Sequence, residues 1–162
     1  MRPTLAASIV LLACAALAAA FHPDAEAQTV GLEHYFKTLK RPASPNTWLV
    51  APADFAVKPD AVAPVFDVPV SRLRETFKSV VAATEGAAVV AEASDGIHLV
   101  VTTSLLKFQD DVRALFIPVD EGKSTIALYS ASRVGWWDFG TNRRRVESWL
   151  EQTRAALARG KR

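Results

Sequence analysis

The order of hydrophobic periods along the chain predicts an α+β fold: helical spacing, then four strand-like runs, then helical spacing again. Ser94-Asp95-Gly96 and Asp120-Glu121-Gly122-Lys123 sit between consecutive runs as tight-turn signals, which makes the strands they join antiparallel. A sheet of that kind buries one face, and two amphipathic helices are its natural cover. The expected architecture is a four-stranded antiparallel sheet with two flanking helices, preceded by an irregular Pro-rich arm.

The first 27 residues read as an address rather than as fold. Arg2 supplies a positive end, Leu5 to Phe21 carry no charge, and Pro23 breaks the run just before Ala25-Glu26-Ala27, which has the small-x-small pattern of signal peptidase. Residues 1–27 are therefore expected to be a signal peptide and the product to be exported to the periplasm. A cut after Ala20 is a second option. An uncleaved anchor facing the periplasm is the main alternative, since the run is close to the lower limit of roughly 17 residues for a span. Lipidation at Cys14 is a third, weakened by Leu12 before the cysteine and by apolar sequence after it. The whole chain has 162 residues and a formal net charge of +2. Without residues 1–27, and so without Arg2, Asp24 and Glu26, the balance is +3, too mild for a nucleic-acid binder. Cys14 is the only cysteine, so a processed form has no thiol for a disulfide, a metal or catalysis. About 135 residues remain, the size of one domain.

Residues 28–69 form the arm. Leu32, Tyr35, Phe36 and Leu39 have helical spacing, which predicts a short helix at its start. Six prolines between Pro42 and Pro69 exclude regular helix or central strand there, yet Trp48, Leu49, Val50, Phe55 and Phe66 are too apolar for a solvated linker. The arm is expected to pack irregularly on the domain, ending in an edge strand at Val65–Val68. Residues 70–160 form the domain proper. Ser71 caps a helix carried by Leu73, Phe77, Val80, Val81 and Thr84 and closed by Gly86. The four runs are Ala87–Ala93, Ile97–Ser104, Asp111–Val119 and Ser124–Ala131. The last helix starts near Thr141 or Asn142, with Val146, Trp149, Leu150, Thr153 and Leu157 on one stripe.

Chemistry concentrates at the junction before that helix. Arg133, Asp138, Asn142 and Arg145 flank a helix start next to Gly135 and Gly140, a natural cradle for an anion because free amides and the dipole favour negative charge. The competing reading is structural: Asp138 or Asn142 caps the helix and a carboxylate holds Arg133. Trp136 and Trp137 either stack on a ligand or cap the open end of the core; with the anchor retained, a place at the membrane interface is a third reading. Asp110 and Asp111 point to opposite faces of a strand, so they cannot act as one close dyad. One of them binds a ligand or metal, or one pairs with Arg133 or Arg145 while the other caps a turn. His98 alternates with Ile97 and Leu99 and is expected on a solvent face. His22, His34 and His98 lack metal spacing, and no phosphate loop, nucleophile elbow or dinucleotide fingerprint occurs.

Ser44-Pro45-Asn46, Phe108-Gln109-Asp110-Asp111-Val112, and Ser130-Ala131-Ser132-Arg133-Val134-Gly135 with Asp138-Phe139-Gly140-Thr141-Asn142 and Arg145 resemble the three signature blocks of the family catalogued as domain of unknown function 1499. The resemblance covers about residues 40–157. It implies a bacterial envelope or organellar protein with an N-terminal signal or anchor, and no particular activity. The chain departs from the family pattern at Thr47, where Cys is frequent, at Tyr129, where Arg is common, and at Trp137, where a small polar residue is common. The expected function is that of a non-enzymatic envelope domain binding a small anionic ligand, a lipid or a protein partner, with no nucleic acid, cofactor or metal. Asp111, Arg133, Trp136, Asp138, Asn142 and Arg145 are its candidate ligand-binding residues. An enzyme using Asp110 or Asp111 with Arg133 is the alternative.

Overall fold

The computed structural model describes residues 31–160; the expected signal peptide lies outside the described residues. Three helices and six strands follow in the order α1 (Leu32–Thr38), β1 (Thr47–Ala51), β2 (Ala61–Val62), α2 (Val70–Ala82), β3 (Ala87–Glu92), β4 (Gly96–Thr102), β5 (Gln109–Asp120), β6 (Lys123–Ser132) and α3 (Thr141–Arg159). They build one mixed sheet of strand order β2-β1-β6-β5-β4-β3. The β3 to β6 meander is antiparallel, as the turn signals predict, and β1 joins β6 antiparallel while β2 runs parallel to β1.

The fold class stands, but the sheet has six strands rather than four, and three helices rather than two flank it. The two additional strands come from the Pro-rich arm. Thr47 to Ala51 lies between Pro45 and Pro52 and contains no proline, so its amides are free to pair with β6 from Leu128 to Ala131. The edge strand expected at Val65–Val68 is instead β2, four residues earlier. Pro64 and Pro69 confine the later segment to one bridge, in which Phe66 and Ser124 exchange backbone bonds of 2.8 and 3.0 Å. Helix α2 begins at Val70 after Pro69, whose extended backbone sets the entry, so Ser71 lies within the first turn and does not cap it.

Helices α2 and α3 cover one face of the sheet. Phe77 of α2 stacks edge-on against Phe116 of β5 and Trp149 of α3, with both centroid separations 5.8 Å. Such pairs contribute about 0.5–1.5 kcal/mol each beyond area burial. Helix α1 covers the other face, where Leu32 and Phe36 pack with Leu49, Leu115, Ala127 and Tyr129. Asp95, in the β3–β4 turn, holds α1 in place by accepting the amides of Leu32 at 3.0 Å and Glu33 at 2.8 Å. Gly96 beside it is required by close approach: a Cβ there would lie 2.3 Å from the Ala114 carbonyl oxygen. Among the described residues no helix is long and apolar enough to cross a membrane.

Candidate functional site

The three sequence blocks meet at one end of the sheet, and the sheet itself divides their polar residues into two arrays. On the α2/α3 face, Asp110 of β5 pairs with Arg145 of α3, whose side chains are 4% and 9% exposed. Arg145 also donates to Ser130 Oγ and Asn142 Oδ1, both at 2.9 Å. The fully buried Asn142 faces the Asn46 carbonyl at 2.8 Å, Asp138 at 2.8 Å and Ser132 Oγ at 3.0 Å. Asn46 in turn donates to the Gly135 carbonyl at 2.6 Å and accepts from Ser44 at 2.7 Å. This network ties β1, β5, β6 and α3 together, and each buried polar group in it finds a partner.

Asp138 closes the start of α3. Its carboxylate accepts the amides of Gly140 at 2.9 Å and Asn142 at 2.8 Å, with Gly140 in the left-handed region at φ 74°. The amides that would cradle an anion are therefore engaged by the protein's own carboxylate.

The second array lies on the α1 face. Arg133 grips Asp111 with Nε at 2.7 Å and Nη2 at 2.9 Å and reaches Gln109 Oε1 at 2.7 Å. His98 Nε2 lies 2.7 Å from the same carboxylate, and the Arg113 guanidinium sits 4.3 Å above the Tyr35 ring. Burial alone would raise the Asp111 pKa. Hydrogen bonds from His98 and Arg133, with the Arg133 charge, override it and hold the carboxyl well below the usual carboxylate range. Burial pushes the Tyr35 and Tyr129 phenols up.

The six candidate residues thus do not share one pocket. Asp138, Asn142 and Arg145 belong to the buried network, Asp111 and Arg133 to the opposite face, and Trp136 to neither. Asp110 and Asp111 diverge as strand geometry requires, yet both are ion-paired and neither caps a turn. His98 is buried rather than solvent-facing, on the sheet face against which α1 packs and in a 2.7 Å contact with Asp111. Its pairing with Asp111 follows from the β4–β5 register, in which His98 is opposite Arg113 and Val100 opposite Asp111.

Trp136 and Trp137 do not cap the core; they are 65% and 61% exposed. They belong to a feature that residue-by-residue reading missed. The β4–β5 loop contributes Leu105, Leu106 and Phe108, and the β6–α3 loop contributes Val134, Trp136, Trp137 and Phe139. These are seven of the twelve exposed large apolar residues among those described. The two loops border a cleft of about 470 Å³, whose polar lining includes Asp110, Ser132, Asp138 and Thr141. The signal was legible in Leu105-Leu106-Lys107-Phe108, three large apolar residues in a connection that is ordinarily polar.

The sequence model of DUF1499, described as a protein of unknown function, matches residues 37–153. The chain belongs to the DUF1499 family. Within the matched region of this DUF1499 domain, Asn46, Asp110, Ser130, Asn142 and Arg145 all belong to the buried network. No curated protein matches the chain. Among solved structures, the crystal structure of TTHA0849 from Thermus thermophilus is similar at 14% identity, covering 70% of this chain and 92% of that chain, with a TM-score of 0.30.

Proposed function

We propose that this DUF1499 protein is an exported, non-enzymatic envelope protein whose binding surface is the paired loop end, 103–108 with 133–140. The observation that carries the reading is the concentration of seven exposed large apolar side chains on two adjacent loops. Apolar patches of this kind on a folded domain mark interaction sites. The network behind them supports the loops on rigid elements, as a binding surface requires. A second cavity of about 480 Å³ beside α1 has no comparable set of exposed apolar residues; its charged lining includes Glu33 and Lys37, which pair with each other at 2.7 Å.

The enzymatic alternative rests on Asp111 with His98 and Arg133. It is the weaker reading, because Asp111 is bonded twice by Arg133 and held ionised, which makes it a poor proton acceptor or donor near neutrality. Asp110 is committed to Arg145.

Oxidative footprinting of tryptophan tests the proposal. The full-length protein is labelled in intact cells of its native host and again after purification. Trp136 and Trp137 are expected to be protected in the cell and labelled in the purified protein, with the buried Trp149 unlabelled in both. Equal labelling of Trp136 and Trp137 in the two states would overturn the assignment of a binding surface.

A further inference from the structure

Resting on that reading, we infer that the occupant of the loop end is an anionic lipid bilayer, entered by the tips of both loops. The first reason is shape. Leu105 and Phe139 are 87% and 80% exposed, and the other five apolar residues of the two loops lie between 49% and 65%. A small-molecule site covers most of its ligand with its walls. Side chains this exposed stand outward and match a medium they can enter.

The second reason is charge. Over residues 103–108 and 133–144 the exposed ionisable side chains are Lys107, Arg133, Arg143 and Arg144. Arg133 pairs with Asp111 and Arg143 with Glu147, which leaves Lys107 and Arg144 without a carboxylate partner among the ion pairs of the described residues. The one carboxylate in those segments, Asp138, is taken up by the amides of α3. Behind the loops, Asp110 is paired with Arg145 and Asp111 with Arg133 and His98. Apolar tips flanked by Lys107 and Arg144, with each nearby carboxylate already bonded, complement an anionic surface better than a second copy of the same face. Tryptophans beside basic residues suit the headgroup boundary, where an apolar ring and a polar edge are both accommodated.

The third reason is backbone conformation. Lys107 and Phe139, one in each loop, are the two non-glycine residues with positive φ among those described, at 55° and 54°. Left-handed backbone at such residues is unfavourable and persists where surrounding bonds impose it. Arg144 Nη1 donates to the Phe139 carbonyl at 2.8 Å, and the Lys107 amide donates to the Thr103 carbonyl at 3.1 Å. The tips are thus held outward before any target arrives, which lowers the ordering cost of binding.

The test uses full-length protein and vesicles of phosphatidylglycerol or phosphatidylcholine carrying brominated acyl chains, which quench tryptophan on contact. Residues 1–27 contain no tryptophan, so their own membrane affinity does not produce the signal directly. Quenching is expected with phosphatidylglycerol, at an affinity roughly tenfold or more above that for phosphatidylcholine, and weakening with salt. Leu105→Ser/Leu106→Ser, which retains every tryptophan, should weaken apparent affinity by roughly tenfold. Trp136→Phe/Trp137→Phe should abolish most of the quenching, since Trp149 is buried and Trp48 half-buried. Absence of quenching by phosphatidylglycerol, equal quenching by both lipids, or an unchanged affinity in the leucine variant overturns the inference. Protection of Trp136 and Trp137 in cells without quenching on vesicles identifies a protein partner: the binding surface then stands and the lipid inference fails.

Discussion

Arg133 and Arg145 carry the same guanidinium to adjacent aspartates, and the faces of β5 make their energetics different. Arg145 and Asp110 are 9% and 4% exposed, so removing the cation strands a buried carboxylate. Arg145→Ala should cost about 3–5 kcal/mol in urea unfolding. Arg133 is 37% exposed, solvent screens its pair, and His98 remains on Asp111 when it is lost. Arg133→Ala should cost about 1 kcal/mol. Equal losses in the two variants would contradict the separation of the arrays. Asp111 adds a pH dependence whose sign is fixed by its lowered pKa. The unfolded chain takes up this proton at a higher pH than the native one, so the stabilisation is complete above roughly pH 5 and is lost as pH falls through the acid range. The stability difference between parent and Asp111→Asn should therefore shrink between about pH 6 and pH 3 in urea unfolding. A difference independent of pH would show that the carboxylate charge contributes nothing there.

Among the elements, α3 depends most on a residue outside itself. Its first turn carries no acidic residue and four consecutive residues, Asn142 to Arg145, that cannot accept a buried amide through a carboxylate. Asp138 performs that task from two residues before Gly140. Asp138→Ala should destabilise the domain by about 1–2 kcal/mol, and Asp138→Asn should recover part of the loss. A thermal or urea midpoint unchanged in Asp138→Ala would show that solvent caps the helix equally well. The element boundaries of the β3 to β6 meander and of α3 were legible because their hydrophobic periods and turn residues are local properties. β1 was not, since Thr47 to Ala51 looks like any apolar stretch among prolines until β6 offers its free edge.

At the scale of the whole molecule, the decisive fact is that the sheet is covered on both faces. Val112, Ala114 and Phe116 of β5 join the core beneath α2 and α3, while Leu115 packs beneath α1. Runs such as Ile126-Ala127-Leu128 are continuous rather than alternating for this reason. The loops at the end of the sheet take no part in either core. Leu105→Ser/Leu106→Ser should accordingly unfold at the parent's urea midpoint, which keeps the vesicle comparison free of folding effects.

The sequence by itself determined the α+β class, the four-strand meander, the final helix, the divergence of Asp110 and Asp111, and membership of DUF1499. Each depends on spacing along the chain or on a motif within a few residues. The tertiary structure alone decided that the Pro-rich arm adds two strands, that His98 is buried, that Asn142 and Arg145 are internal, and that two loops about 30 residues apart form one apolar end. Those outcomes depend on which surfaces meet after folding. A side chain's period tells which face it takes, and only the packing of other elements tells whether that face is covered.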